Sequence, residues 1–241
     1  MSVKTKNAFL ISDVWLADIL RKPVYKLNVD RNVSKPVLEN SLKELPSSVF
    51  VYTKVYTADV MLTTMLERLG FHLVDTNVVF KKAACNHAEF FGRCHLRFAK
   101  PQDEEEVVHL AQRAFVYSRF HLDLNIGKDT ADEIKSQWAK NFFHQQRGDQ
   151  MIVAVMDERI VGFMQLLYGK DKILTIDLIG VDENHRRQGI ARDMISYSEM
   201  NCPGFEFIRA GTQVANAPSI ALYEKMGFRL EYSQYVFHYH R

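Results

Sequence analysis

At 241 residues the chain is long enough for one large domain or two small ones, and 47% hydrophobic with 25% charged residues is the make-up of a globular protein with a real core. A formal net charge of +2, with no run of five or six like charges, excludes a basic arm for tracking nucleic acid. No apolar run approaches the roughly 20 residues that span a bilayer, Met1–Asp13 lacks the signature of a secretory signal, and three cysteines (Cys85, Cys94, Cys202) without paired spacing suit a reduced compartment, so a cytoplasmic protein with no membrane partner is expected.

The first 80 residues carry few periodic signals of their own. Residues 83–93 are neither helical nor alternating and read as a linker, which divides the chain into an N-terminal unit at 1–88 and a C-terminal unit at 93–241. Cys85, His87, Cys94 and His95 cluster there, but their spacing matches no usual zinc pattern, and no metal is expected. Cys94–Lys100 alternates like a strand and stops at Pro101. Asp103–Ser118 sets apolar residues at 107, 108, 110, 111, 114 and 115, a helical stripe with acidic residues in its first turn. Thr130–Gln146 predicts a second helix, with Ile134, Trp138 and Phe142 on one side.

The period then changes. Gln150–Met156 and Ile160–Tyr168 flank the turn Asp157-Glu-Arg, and Ile173–Val181 follows a second turn, which predicts an antiparallel meander. Arg187–Met200 reads as a helix, Phe205–Gly211 as a strand, Ala217–Met226 as a helix ending at Gly227, and Phe228–His240 as a final strand. His238 and His240 fall on one face of that strand and read as packing or surface histidines. The sum is a mixed α/β sheet flanked by helices. The early part echoes the late part: Leu66-Glu-Arg-Leu-Gly-Phe-His-Leu73 aligns with Tyr223-Glu-Lys-Met-Gly-Phe-Arg-Leu230, and more loosely Tyr52–Ala58 with Gly211–Ala217. A decayed internal half-copy explains this, against a chance recurrence of a common helix cap.

The most specific segment is 179–191. A strand ends at Val181, a polar turn follows, and Arg186-Arg-Gln-Gly-Ile-Ala191 opens a helix. The unpaired N–H groups of a first helical turn, with the helix dipole behind them, suit a pyrophosphate. Gly189 lets the anion approach the backbone, Ala191 is small for the same reason, and Arg186, Arg187 and Arg192 add charge. Arg186, Gly189 and Ala191 satisfy the pattern Arg/Gln-x-x-Gly-x-Gly/Ala, so the segment resembles motif A of the GNAT superfamily of N-acetyltransferases.

The resemblance implies a mixed, mostly antiparallel GNAT-type sheet, here preceded by a smaller degenerate GNAT-like half-domain. It implies acetyl-CoA as co-substrate, held by the strand Leu178, Ile179, Gly180 and Val181, by the turn Arg186, Arg187, Gln188, Gly189, Ile190 and Ala191, and by Asn216. It also implies Tyr223 beside the departing sulfur as proton donor, since a phenol pKa lies near that of a thiol. On pattern alone Tyr223 also suits core filling, because its partner in the first copy is Leu66.

Ala114-Phe-Val-Tyr-Ser-Arg-Phe-His121, Trp138 and Gly211-Thr-Gln-Val-Ala-Asn216 are together similar to the TDP-fucosamine acetyltransferase family. That resemblance implies a nucleotide-linked 4-amino-4,6-dideoxy sugar as acceptor, in surface polysaccharide (lipopolysaccharide) precursor synthesis. The chain departs from it at Leu222, where the family has Arg, and at the Arg-rich turn Asn184–Arg187. Ser118, Arg119 and Phe120 are the substrate-binding candidates: Arg119 for a diphosphate and Phe120 for stacking, or else the three merely close the helix onto Trp138. Asp177 and His121 are the candidates for general base. No cysteine lies near these motifs, which favours direct attack over an acyl-enzyme. The alternatives are acetylation of a protein N-terminus, lysine or small amine, and a non-catalytic acyl-CoA sensor; a longer acyl donor and a homodimer are left open.

Overall fold

The computed structural model describes residues 3–5, 8–29, 33–85 and 90–241, and all of its strands join a single sheet. In chain order the elements are β1 (Val3–Thr5), β2 (Ala8–Ser12), α1 (Val14–Leu20), β3 (Val24–Val29), α2 (Lys35–Lys43), β4 (Phe50–Tyr56), α3 (Val60–Arg68) and β5 (His72–Ala83). After the linker come β6 (His95–Phe98), α4 (Glu104–Ala114), α5 (Lys128–Phe143), β7 (Gln150–Met156), β8 (Arg159–Tyr168) and β9 (Ile173–Val181). The chain closes with α6 (Ile190–Asn201), β10 (Phe207–Gln213), α7 (Ala217–Lys225) and β11 (Arg229–His240). The strands lie in the order β1-β2-β3-β4-β11-β5-β10-β9-β8-β7-β6. Only the pairs β3–β4 and β9–β10 are parallel among the described residues, so the sheet is mixed and mostly antiparallel, as expected.

Local chemistry sets the element ends. Asp157 and Glu158 both take positive φ, 49° and 64°, the two-residue turn that matches the twist of a hairpin and joins β7 to β8. Asn216 caps α7, its side chain accepting the Ser219 N–H, with Pro218 in the first turn and Gly227 at φ 83° just past the end. Two boundaries differ from expectation. α4 stops at Ala114 because Phe115 is extended, which leaves Ser118 in the following loop. α6 starts at Ile190, since a short 3₁₀ turn (Glu183–His185) and an extended Arg186 fill the space where the helix was expected to begin.

β4 at 50–56, α3 at 60–68 and β5 at 72–83 recur as β10 at 207–213, α7 at 217–225 and β11 at 229–240, each 157 positions on. The looser alignment of Tyr52 with Gly211 is therefore two residues out of register; Tyr52 corresponds to Arg209. The last strands of the two units are exchanged. β5 pairs with β10, its register running from Phe207 opposite Ala83 to Gln213 opposite Asn77. β11 pairs with β4, from Gln234 opposite Tyr56 to His240 opposite Phe50. The cores follow: Val78 and Phe80 of β5 pack with Ile176, Ile195 and Tyr223, while Phe237 of β11 packs with Leu27, Leu62 and Leu66. Each core is filled by the other unit's strand, so the chain folds as one sheet although its sequence divides at the linker.

Candidate active site

The sheet opens between β9 and β10. Their parallel pairing runs only from Ile173–Phe207 to Ile176–Ala210. On the other side of β9, Gln165 pairs with Leu178 and Leu166 with Ile176, which leaves Asp177 as an extra, bulged residue. A bulge bends its strand and increases the twist, and here it turns β9 away from β10. Leu178, Ile179, Gly180 and Val181 thus keep one backbone edge without a ladder partner, as an extended amide-bearing ligand requires. Leu178 points into the core, and Gly180 has no room for a side chain, since a Cβ would come within 2.9 Å of Phe163 and 3.1 Å of Ala114.

The turn beyond β9 leads to the α6 N-terminus. Its N-cap is Gly189, at φ 85° and with no side-chain cap, so the N–H groups of Ile190 and Ala191 face outward without a capping acceptor. The residues present fit a pyrophosphate. Gly189 is required for two further reasons: its left-handed backbone, and the Phe91 ring of the linker, into which a Cβ would collide. The Asp193 carboxylate ties this linker down by accepting the N–H groups of Phe91 and Gly92 at 3.0 and 3.1 Å. Arg186 does more than add charge to the turn. Its guanidinium donates to the carbonyls of Val181 and Ala114, stapling the turn to the end of α4. Arg187 has a left-handed backbone at φ 61° and, like Gln188, stays on the turn's surface side.

Tyr223 is 2% exposed, packed at 5.3 Å from the Phe228 ring and 5.9 Å from Phe80. Burial pushes its phenol pKa well above the usual tyrosine value, which removes the simple match to a thiol. The phenol therefore stays protonated, as a donor must. Leu66, its counterpart in α3, is fully buried in the other core.

Both expected bases are committed elsewhere. The Asp177 carboxylate accepts a two-pronged bond from Arg147 (2.6 and 2.6 Å), the Trp138 indole N–H at 2.8 Å and the Gln165 amide at 3.1 Å. Three donors crowd Oδ2 and Arg147 grips Oδ1 as well, so the carboxylate acts as an anchor for the bulge. His121 Nε2 donates to Asp132 at 2.9 Å, so Nδ1 is the acceptor of the Ser118 hydroxyl at 2.6 Å, and neither nitrogen is available. Burial lowers the His121 pKa despite Asp132. Phe120 is 1% exposed among Leu16, Val24 and Phe50, which corrects the stacking role: it is core. Ser118 is buried as well and closes its own turn.

Arg119 is different. Its guanidinium lies over Tyr52 (4.0 Å) and Phe120 (4.4 Å), with no carboxylate at ion-pair distance among the described residues. It heads a charged cluster that the sequence did not reveal. Lys135 of α5 is 8% exposed, holds its ammonium 4.8 Å from both Phe115 and Trp138, and has no ion pair among the described residues. Burial, then Arg119, pushes it down to about 8; Lys54 of β4 keeps an exposed side chain, yet crowding of its ammonium by the protein, then Arg119, lowers it to about 8 as well. Asp75 of β5 is 7% exposed; its Oδ2 is buried without a hydrogen-bond partner, and burial raises its pKa to about 6 against the pull of Lys54 and Arg119. Tyr52, whose hydroxyl donates to Asp13 at 2.7 Å, is pushed up to about 12 by burial. Lys54 and Asp75 are the charged residues of β4 and of the first half of β5, but that they share a face depends on the strand exchange.

Next to Arg119, Asp123 Oδ2 lies 2.6 Å from His238 Nδ1 and 2.7 Å from His240 Nε2, the one group among the described residues with metal-ligand geometry. Arg119 and Lys22 face the other ring nitrogens at 3.5 Å. Both are donors only, so each imidazole carries its proton toward Asp123, a closed hydrogen-bond network flanked by cations. Burial lowers His238 to about 4; Asp123 is held far below its ordinary value by the two histidine bonds, which outweigh its own burial. Of the cysteine–histidine group near the linker, His87 lies outside the described residues, and Cys85 is exposed. A surface cavity of about 540 Å³ against the solvent side of α4 shares no residue with the charged cluster.

The family model described as "Acetyltransferase (GNAT) family" matches residues 105–228. A curated relative, the spore coat polysaccharide biosynthesis protein SpsD of Bacillus subtilis (strain 168), is 31% identical over 141 residues, or 58% of this chain and 48% of that protein. The match thus spans about half the length of the relative. Among solved structures, a GCN5-related N-acetyltransferase from Kribbella flavida aligns over 99% of this chain and 88% of its own, with TM-score 0.65 and 13% identity. A tandem GNAT protein from the clavulanic acid biosynthesis pathway aligns over 99% and 81%, with TM-score 0.65 and 12% identity. At those identities the likeness is one of fold.

Proposed function

The chain belongs to the GNAT family of acetyltransferases, and we propose that its acceptor is the amino group of a nucleotide-linked 4-amino-4,6-dideoxy sugar, acetylated by direct attack. Acyltransferase activity follows from family and fold. The observation that carries the acceptor is the trio Lys54, Arg119 and Lys135. These are three cations on one side of the sheet, Arg119 lowering the pKa of both lysines, with no carboxylate at ion-pair distance among the described residues. Such a cluster suits an anion, as a sugar diphosphate is, and repels a polyamine or a lysine. The printed name of the Bacillus relative, a polysaccharide biosynthesis protein, supports the same class. We place the reaction in the cytoplasm and read residues 1–88 as a decayed half-copy of the catalytic unit at 93–241; the likeness to a tandem GNAT protein supports that reading.

Acetyl-CoA, when bound, supplies a thioester carbonyl open to attack. In this reading the free edge at Leu178–Val181 orients its amide-bearing arm, and a backbone N–H there meets the developing negative oxygen. The α6 N-terminus holds the pyrophosphate. Asp177, locked by Arg147 and Trp138, keeps β9 bent, and Tyr223 returns a proton to the departing sulfur.

The test is thiol release from acetyl-CoA across TDP-, UDP- and GDP-linked amino sugars, spermidine and a lysine peptide. Preference for a nucleotide-linked amine by at least 100-fold in kcat/KM is expected. Preference for spermidine or the peptide would overturn the acceptor, and tight CoA binding without turnover on any amine would favour a non-catalytic sensor.

A further inference from the structure

We propose that Asp75, carried into the catalytic half on the exchanged strand β5, is the general base that takes the proton from the acceptor amine. The proposal rests on the amine-acetylating reading above. β5 lies directly beside β10, one arm of the open slot, and Asp75 stands two residues beyond Asn77, the last residue of β5 paired with β10. The Gln213 side chain at the end of β10 and the Thr76 N–H both favour the charged form of the Asp75 carboxylate. Asn77 sits opposite Gln213, and Thr76 O accepts the Val214 N–H at 2.8 Å, which fixes this end of β5 to the slot. Val78 and Phe80 point into the core with Tyr223, so by alternation Asp75 projects from the opposite face of the sheet. That face also carries Lys54 and Arg119, which both act electrostatically on Asp75.

The partners already present make the assignment specific. Asp75 Oδ2 is buried and has no hydrogen-bond donor among the described residues. A buried carboxylate oxygen without a donor is costly, and a substrate ammonium supplies what is missing. Of the rivals, Asp177 is locked in a two-pronged ion pair with Arg147, with three donors on its Oδ2, and both ring nitrogens of His121 are bonded. Burial keeps Asp75 more basic than an ordinary carboxylate, with Lys54 and Arg119 holding it ionised at neutral pH.

The step balances. The acceptor R–NH₃⁺ gives one proton to Asp75 Oδ2; its lone pair forms the C–N bond at the thioester carbonyl. The C–S bond breaks, Tyr223 protonates the thiolate to CoA thiol, and the second amine proton restores the Tyr223 phenol through solvent. Asp75 returns its proton to water before the next turnover.

The experiment compares the full chain with Asp75→Asn and Asp75→Glu in steady state from pH 5 to 9, using whichever amine of the panel is turned over, and in the slow release of thiol to water without any amine. CoA affinity is measured by calorimetry to establish folding. For Asp75→Asn a 10²–10⁴-fold loss in kcat is expected, with loss of the acid limb centred near pH 6, an unchanged KM for acetyl-CoA, and partial recovery in Asp75→Glu. Wild-type kcat with the same acid limb in Asp75→Asn overturns the proposal. If a simple amine rather than a sugar nucleotide is the substrate, the acceptor reading fails while the same comparison still decides the base.

Discussion

β4–α3–β5 and β10–α7–β11 set a positive-φ glycine, Gly70 and Gly227, and a buried phenylalanine, Phe71 and Phe228, at matching places. They differ where a ligand would lie. In the later unit Asn216 caps its helix with its side chain and Tyr223 fills the core with a hydroxyl; in the earlier one Asp59 makes no such cap and Leu66 fills the core with carbon alone. Conversely, Lys54 stands where the later unit has Gly211, and Asp75 where it has Tyr232. The positions that turn the chain and fill the core are shared, while the polar ones have diverged. Because the last strands are exchanged, charge borne by the earlier unit ends up beside the slot of the later one.

If the later unit alone holds the donor, damage at its turn must be absolute. Gly189→Glu places a side chain on a left-handed backbone and against Phe91, and an anion where a pyrophosphate binds. Loss of measurable CoA binding by calorimetry is expected, with a circular dichroism spectrum like wild type; retained tight binding would break the assignment. Tyr223→Phe tests the core hydroxyl that distinguishes the two units. The ring packing against Phe80 and Phe228 survives, so stability and CoA affinity should hold while kcat falls about 10²–10⁴-fold. Unchanged kcat would reduce Tyr223 to the role of Leu66.

Arg119→Ala probes the contribution of the loop between α4 and α5. A charge-assisted contact is worth roughly 1.5–3 kcal/mol, so KM for a nucleotide-linked acceptor should rise about 10- to 100-fold. KM for acetyl-CoA should change little; equal rises in both would make Arg119 a packing residue over Tyr52 and Phe120.

What was legible in the sequence follows the range of the forces involved. The meander, the α7 cap and the turn into α6 are local, and residues 150–181 and 216–227 carry them openly. The donor side needs one strand, one turn and one helix, contiguous in sequence. The acceptor side joins Lys54, Asp75, Arg119 and Lys135 from four separate elements. The likeness of the two element series was visible at Leu66–Leu73, but the exchange that sends β5 to β10 leaves no mark in either strand. Asp177 and His121 were found as titratable groups near the site; only coordinates reveal that Arg147 and Asp132 occupy them. Phe120 was undecidable from its neighbours, because Leu16, Val24 and Phe50, which bury it, lie in the other half.

The smallest expected effect is also the most discriminating. Lys135 is pushed from 10.5 down to about 8 mainly by burial, so its charged form destabilises the fold. Below pH 8 both folded and unfolded chains carry the proton and the whole penalty stands, on the order of 3 kcal/mol. Between 8 and 10.5 the unfolded chain binds more protons, so this group adds stability as pH rises. Lys135→Met keeps an adaptable chain against Phe115 and Trp138 and removes the charge. After the loss of those cation–π contacts, a net gain of about 1–2 kcal/mol at pH 7 is expected, a few degrees in Tm, and the gap to wild type should close as pH approaches 10.5. If the cluster is built for an anionic acceptor, that gain comes with a raised acceptor KM. A variant that is less stable at pH 7, with unaltered KM, would make Lys135 an ordinary packing residue and leave the acceptor side of the comparison without its charge.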